Sequence, residues 1–138
     1  MNELAGDVKC VLGLTPQNVS GSGATYGPAI DRKGYGACVL NFLTGALAGT
    51  PTNVLYTFGL EESATETGTY AAVTLSGNTL SGVAANIPGV NTEVNVDLKA
   101  RKRWVKPIVT PTWTGGSSPY GIVGCVVVLG EADVRPAA

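Results

Sequence analysis

Glycine and proline recur through this chain as punctuation, 19 and 8 of them. They cut it into short segments rich in valine, leucine, threonine and aromatic residues. Segments of that kind suit β-strands bounded by turns, and no stretch of helical period competes with them. The spacing predicts eight strands, at residues 7–14, 36–43, 53–59, 69–75, 79–85, 92–100, 103–110 and 122–129. Alternation is clearest in Glu93-Val94-Asn95-Val96-Asp97-Leu98: Val94, Val96 and Leu98 are expected to face a core, and Glu93, Asn95 and Asp97 to face water. The run Val123-Gly124-Cys125-Val126-Val127-Val128-Leu129 is apolar on both faces, so it should lie centrally in a sheet or be covered by a partner.

Ser76-Gly77-Asn78 and Gly115-Gly116-Ser117-Ser118-Pro119 carry turn chemistry and are expected to make sharp reversals. Residues 15–34, centred on Ser20-Gly21-Ser22-Gly23, have too little apolar periodicity for an element and are expected as an extended arm or loop over a surface. At 138 residues the chain suits a single domain spanning 1–138. The expected fold class is all-β: a two-sheet antiparallel sandwich, with a jelly roll of about eight strands preferred among the two-layer arrangements.

Composition narrows the function classes. Hydrophobic residues make up 44% of the chain and charged ones 14%, yet the longest apolar run, Val126 to Leu129, falls far short of a membrane span. The opening Met1-Asn2-Glu3-Leu4-Ala5-Gly6-Asp7 has neither a basic region nor an apolar stretch before a cleavage site, so cytoplasmic synthesis is expected. Cys10, Cys38 and Cys125 sit singly in apolar segments without metal or redox spacing, and are expected as reduced core residues. A net charge of −1 offers no general attraction to nucleic acid or anionic membranes, which leaves protein partners by elimination.

The chain contains no histidine. That removes the commonest general base near neutral pH and with it the usual serine and cysteine triads. Glu61, Glu62 and Glu66 form an acidic cluster without evident glycosidase geometry or calcium-loop spacing, and are expected as solvated loop charges. No catalytic, cofactor-binding or metal-ligating residue is assigned, and a small-molecule substrate is not expected. Five of the nine basic residues, Lys99, Arg101, Lys102, Arg103 and Lys106, gather at a junction between two strands. They are expected either to guard an exposed strand end or to dock on an acidic protein surface. Trp104 lies inside the following strand as a core or interface residue. Tyr26, Trp113 and Tyr120 lie in or beside glycine- and proline-rich loops and are candidate partner-binding rings, whereas Tyr35 is expected to pack against an end of the sandwich. A carbohydrate-binding module would also use such rings, so glycan binding is the alternative function.

Five segments taken in order, Tyr26-Gly27-Pro28-Ala29-Ile30-Asp31, Gly36-Ala37-Cys38-Val39-Leu40-Asn41-Phe42, Phe58-Gly59-Leu60-Glu61-Glu62-Ser63, Ala100-Arg101-Lys102-Arg103-Trp104-Val105-Lys106 and Val126-Val127-Val128-Leu129-Gly130-Glu131, resemble the small capsid cement or decoration proteins of tailed double-stranded DNA bacteriophages. Lys106 stands where that group's Arg-aromatic-Val-Arg pattern has its second arginine. The resemblance implies a non-enzymatic jelly-roll subunit, a homodimer, on the capsid exterior of the virion. It would bridge neighbouring major capsid protein subunits and stabilise the shell, with 15–34 as an arm ordering on docking and Lys99–Lys106 complementing capsid carboxylates.

Overall fold

The computed structural model of the chain describes residues 7–132. The opening segment read above for a leader lies, apart from Asp7, outside the described residues. Ten strands run in the order β1 (Lys9–Ser20), β2 (Thr25–Tyr26), β3 (Ile30–Asp31), β4 (Tyr35–Ala48), β5 (Asn53–Ser63), β6 (Ala71–Val73), β7 (Thr79–Val83), β8 (Asn91–Asp97), β9 (Trp104–Thr114) and β10 (Tyr120–Ala132), with one 3-10 turn at Ala84–Asn86. Among the described residues no helix is long and apolar enough to cross a membrane.

The strands form two antiparallel sheets. Sheet A has the order β1-β10-β4-β8. In sheet B, β2 and β3 follow one another along one side of β9, and β6 and β7 follow one another along the far side of β5. Each sheet therefore has four columns, and the chain passes between them in the jelly-roll sequence. The eight columns differ in composition from the eight predicted strands: β6 and β7 share one column, and the column of β2 and β3 was unassigned.

Side-chain parity puts the core between the sheets. On β5, Val54, Tyr56, Phe58 and Leu60 are buried while Leu55, Thr57, Gly59 and Glu61 face outward. On β8 the expected alternation holds, with Val94, Val96 and, just beyond the strand, Leu98 buried. Phe42 of β4 stacks on Phe58 of β5 across the layers, ring centroids 4.2 Å apart, and fastens one sheet to the other. β10 occupies the central position its double-faced apolar run required, between β1 and β4.

The structure revises three expectations. Residues 15–34 are not one loose segment. Residues 15–20 complete β1 through a bulge around Pro16, with Val19 fully buried, and Thr25–Tyr26 and Ile30–Asp31 pair with β9. Proline and the bulge erase the two-residue period that would have shown the strand. Gly27 is forced here, because a Cβ would sit 1.7 Å from the Gly13 carbonyl oxygen. Pro107 and Pro111 account for the broken column beside β9: Pro107 accepts a bond from the Gly27 N–H, so its own nitrogen faces the side where β2 and β3 are interrupted.

Second, Ser76-Gly77-Asn78 is a bend and not a reversal. β6 and β7 both run antiparallel to β5, and Asn78 is bonded to both the N–H and the C=O of Phe58 between them. Third, Cys38 and Cys125 are buried, with burial pushing both thiols up to about 12, but Cys10 is exposed on edge strand β1. All three are free thiols.

Candidate functional site

The basic cluster sits where the chain crosses from β8 in sheet A to β9 in sheet B, and most of it is already neutralised. Arg103 makes a forked contact with Asp31 of β3, Nε to Oδ1 at 3.0 Å and Nη2 to Oδ2 at 2.8 Å. That hydrogen bond holds the Asp31 carboxyl below the usual carboxylate range, against a smaller opposing effect of burial. Arg101 pairs with Glu62 at 3.6 Å, Glu62 also accepts the Lys102 backbone N–H at 2.8 Å, and Lys99 pairs with Glu131 at 3.2 Å. Arg32 donates to the carbonyls of Lys102 and Arg101. Lys106 lies 4.2 Å from the centre of the Tyr70 ring. Among the described residues the Lys102 side chain alone of the five makes neither ion pair nor ring contact.

This corner is a charge-laced clamp on a strand end. Glu62 is correspondingly not the solvated loop charge expected of it: it stands on β5 and anchors the crossing. Its partners lie about 40 residues away in sequence, which is why spacing gave no sign of them.

The candidate rings fall in three places. Tyr26 stands exposed on β2 at the edge of sheet B, and Tyr120 is exposed at the start of β10. Trp113, half-buried on β9, meets Tyr56 edge to face with centroids 5.9 Å apart. Trp113 Nε1 and the Tyr56 hydroxyl are both buried without a partner among the described residues, an arrangement that costs about 1–3 kcal/mol per group. Tyr35 is buried as expected. Trp104 is half-buried and lies under the Arg103 guanidinium, 5.4 Å from its ring centre.

A surface the sequence signalled only in part emerges on the outward side of sheet A. Leu12 on β1, Ile122 and Val126 on β10 and Leu43 on β4 are 53%, 41%, 36% and 45% exposed. The register makes them neighbours: Leu12 opposes Val126, and Leu43 opposes Gly124. Gly45 and Gly124 leave a hollow of about 280 Å³ among them. The apolar strip continues through Cys10, Val39 and Val128 into a second hollow of about 490 Å³, bordered by Asp97, Lys99 and Glu131. Contiguous apolar surface with a charged rim is the ordinary form of an interaction site. The doubled apolar parity of 122–129 was the legible part of it; Leu12 and Leu43 were hidden inside ordinary strand segments.

Neither protein-family models nor curated proteins give a match to this chain. Among solved structures, the SPBc2 prophage-derived protein YomS is 14% identical, with 88% of this chain and 93% of that one covered and a TM-score of 0.43. A chain of the acid-stable capsid of Helicobacter pylori bacteriophage KHP30 is 14% identical over 93% and 95%, TM-score 0.47. The C-terminal family 22 carbohydrate-binding module of Clostridium thermocellum Xyn10B is 10% identical over 92% and 84%, TM-score 0.43.

Proposed function

We propose that this protein is a non-enzymatic phage capsid cement subunit, and that the outward face of sheet A is the surface it lays on the major capsid protein lattice. One observation carries the reading: three adjacent strands present Leu12, Leu43, Ile122 and Val126 to solvent, a surface whose apolar content the fold itself does not require. The order of segments that resembles phage cement proteins, that of a short-tailed Bordetella phage among them, suggests the partner. A DNA-filled shell is pushed outward from within, and many modest contacts repeated over a lattice oppose that force through avidity. The subunit would be made in the host cytoplasm, pair as a homodimer and sit on the virion exterior, bridging neighbouring capsid subunits.

The candidate residues take graded parts in this reading. Lys99 borders the docking face and complements capsid carboxylates there by exchanging its exposed partner Glu131 for them. Arg101 and Arg103 hold the adjoining corner in shape through Glu62 and Asp31, and Lys102, unpaired among the described residues, contributes charge at its rim. Lys106 and Tyr26 stand on the opposite sheet, away from the docking face. Tyr120 extends the apolar strip at its far end, and Trp113 supports it from below.

The test is co-sedimentation of purified protein with parent shells lacking it, followed by stepwise heating. The wild type should bind and raise the rupture temperature. A folded Leu12→Glu/Val126→Glu variant should do neither, and equal binding by that variant would remove the assignment of the face.

A further inference from the structure

We propose that the hollow at the Trp113 and Tyr120 end of the sandwich is a binding site for a neutral pyranose sugar. The hollow measures about 590 Å³, within the range of small-ligand clefts, about 300–1,000 Å³. Its walls are Asn18 and Ser20 from β1, Trp113 from the end of β9, Ser118 and Pro119 from the following loop and Tyr120 from β10. None of the residues lining it is acidic or basic. A charged ligand would therefore enter unpartnered, while an uncharged ligand rich in hydroxyls meets the amide of Asn18 and the hydroxyls of Ser20, Ser118 and Tyr120.

The rings decide between classes of neutral ligand. A pyranose has an apolar C–H face and a rim of hydroxyls, and it is recognised by an aromatic ring flanked by short polar side chains. Tyr120 is 41% exposed, and Trp113 forms the neighbouring wall. The support is rigid: a Cβ at Gly121 would lie 2.3 Å from the Tyr56 hydroxyl oxygen and 2.4 Å from Leu47 Cδ2, so the backbone beside Tyr120 is pressed onto the core. Trp113 is itself fixed from behind, its ring meeting Tyr56 edge to face with centroids 5.9 Å apart. A preformed hollow on strand ends loses little freedom on binding. This inference stands on the hollow's geometry and is independent of the capsid reading.

The test uses the full chain labelled with nitrogen-15, following the two tryptophan indole resonances, with Trp104→Phe identifying that of Trp113. Cellohexaose, maltohexaose and mannohexaose serve as neutral probes and a galacturonic acid hexamer as the charged one. At least one neutral hexasaccharide should move the Trp113 resonance saturably, and Tyr120→Ala should weaken that binding ~tenfold. The proposal is overturned if no neutral probe moves the resonance at about 10 mM, if the charged hexamer binds in preference, or if Tyr120→Ala binds as the wild type does. Ser20→Ala, which removes a lining hydroxyl outside the docking face, should weaken sugar binding while leaving shell co-sedimentation unchanged, so loss of one function does not count against the other.

Discussion

The two sheets of this sandwich present opposite surfaces to the outside. On sheet B the register sets Thr79, Thr57 and Thr110 in one row across three strands, with Thr112 and Thr114 further along β9. On sheet A the corresponding rows run Leu12, Val126, Asn41, Glu93 and Cys10, Val128, Val39, Asn95, apolar across β1 and β10 and polar only toward β8. Threonine and valine have nearly the same shape and the same liking for strands. The fold would accept either on an outward position. Where this row of sheet B carries hydroxyls, sheet A keeps methyl groups, and the large hydrophobics that sheet B does expose, Tyr26 and Val83, lie in its two edge columns. Strand formation does not account for that difference, whereas a surface meant to leave water does.

The largest expected effect breaks both faces together. Phe42→Ala removes the stacked pair that joins the sheets and should lower stability by about 3–5 kcal/mol, measured by urea unfolding, with shell binding lost alongside. Next in size is the exchange of face chemistry. Ile122→Thr/Val126→Thr gives sheet A the character of sheet B and should change stability by less than about 1 kcal/mol while weakening shell binding at least ~tenfold. The mirror variant Thr57→Val/Thr110→Val should leave co-sedimentation unchanged. If the mirror variant gains or loses binding as much as the first, the contrast between the faces is not functional.

The smallest effect belongs to the clamped corner. The hydrogen bond from Arg103 lowers the Asp31 pKa in the folded chain. The contribution of that pair is therefore complete above the ordinary aspartate value of ~3.9 and is lost as pH falls through the lowered folded value. Thermal melts should show stability declining across that acidic window, and Asp31→Asn should lower stability slightly at pH 7 and flatten the decline.

Much of the frame could be read from the chain, and the failures have common causes. Period-two alternation found β8, and a run apolar on both parities found the central place of β10, because both are local signals. The strands β2 and β3 escaped because each is two residues long and Gly27 and Pro28 separate them. The collinearity of β6 and β7 escaped because it depends on their shared partner β5. Three members of the basic cluster were visible as charges but not as ion pairs, since Asp31, Glu62 and Glu131 reach them from β3, β5 and β10. The candidate rings stood out as large side chains near glycine-rich loops, but only the packing of strand ends brings Trp113 and Tyr120 around one hollow.

Cys10 offers the most direct measurement of the central contrast, because it is a free, exposed thiol in the apolar strip of sheet A while Cys38 and Cys125 are buried. Maleimide labelling of the folded protein, free and bound to shells, should be compared at Cys10 and at a cysteine placed on sheet B by Thr57→Cys. The account predicts rapid labelling of both sites in the free protein, with Cys10 protected and the sheet B cysteine still reactive on the shell. Labelling of Cys10 at an unchanged rate on the shell, with protection at Thr57→Cys instead, would contradict it.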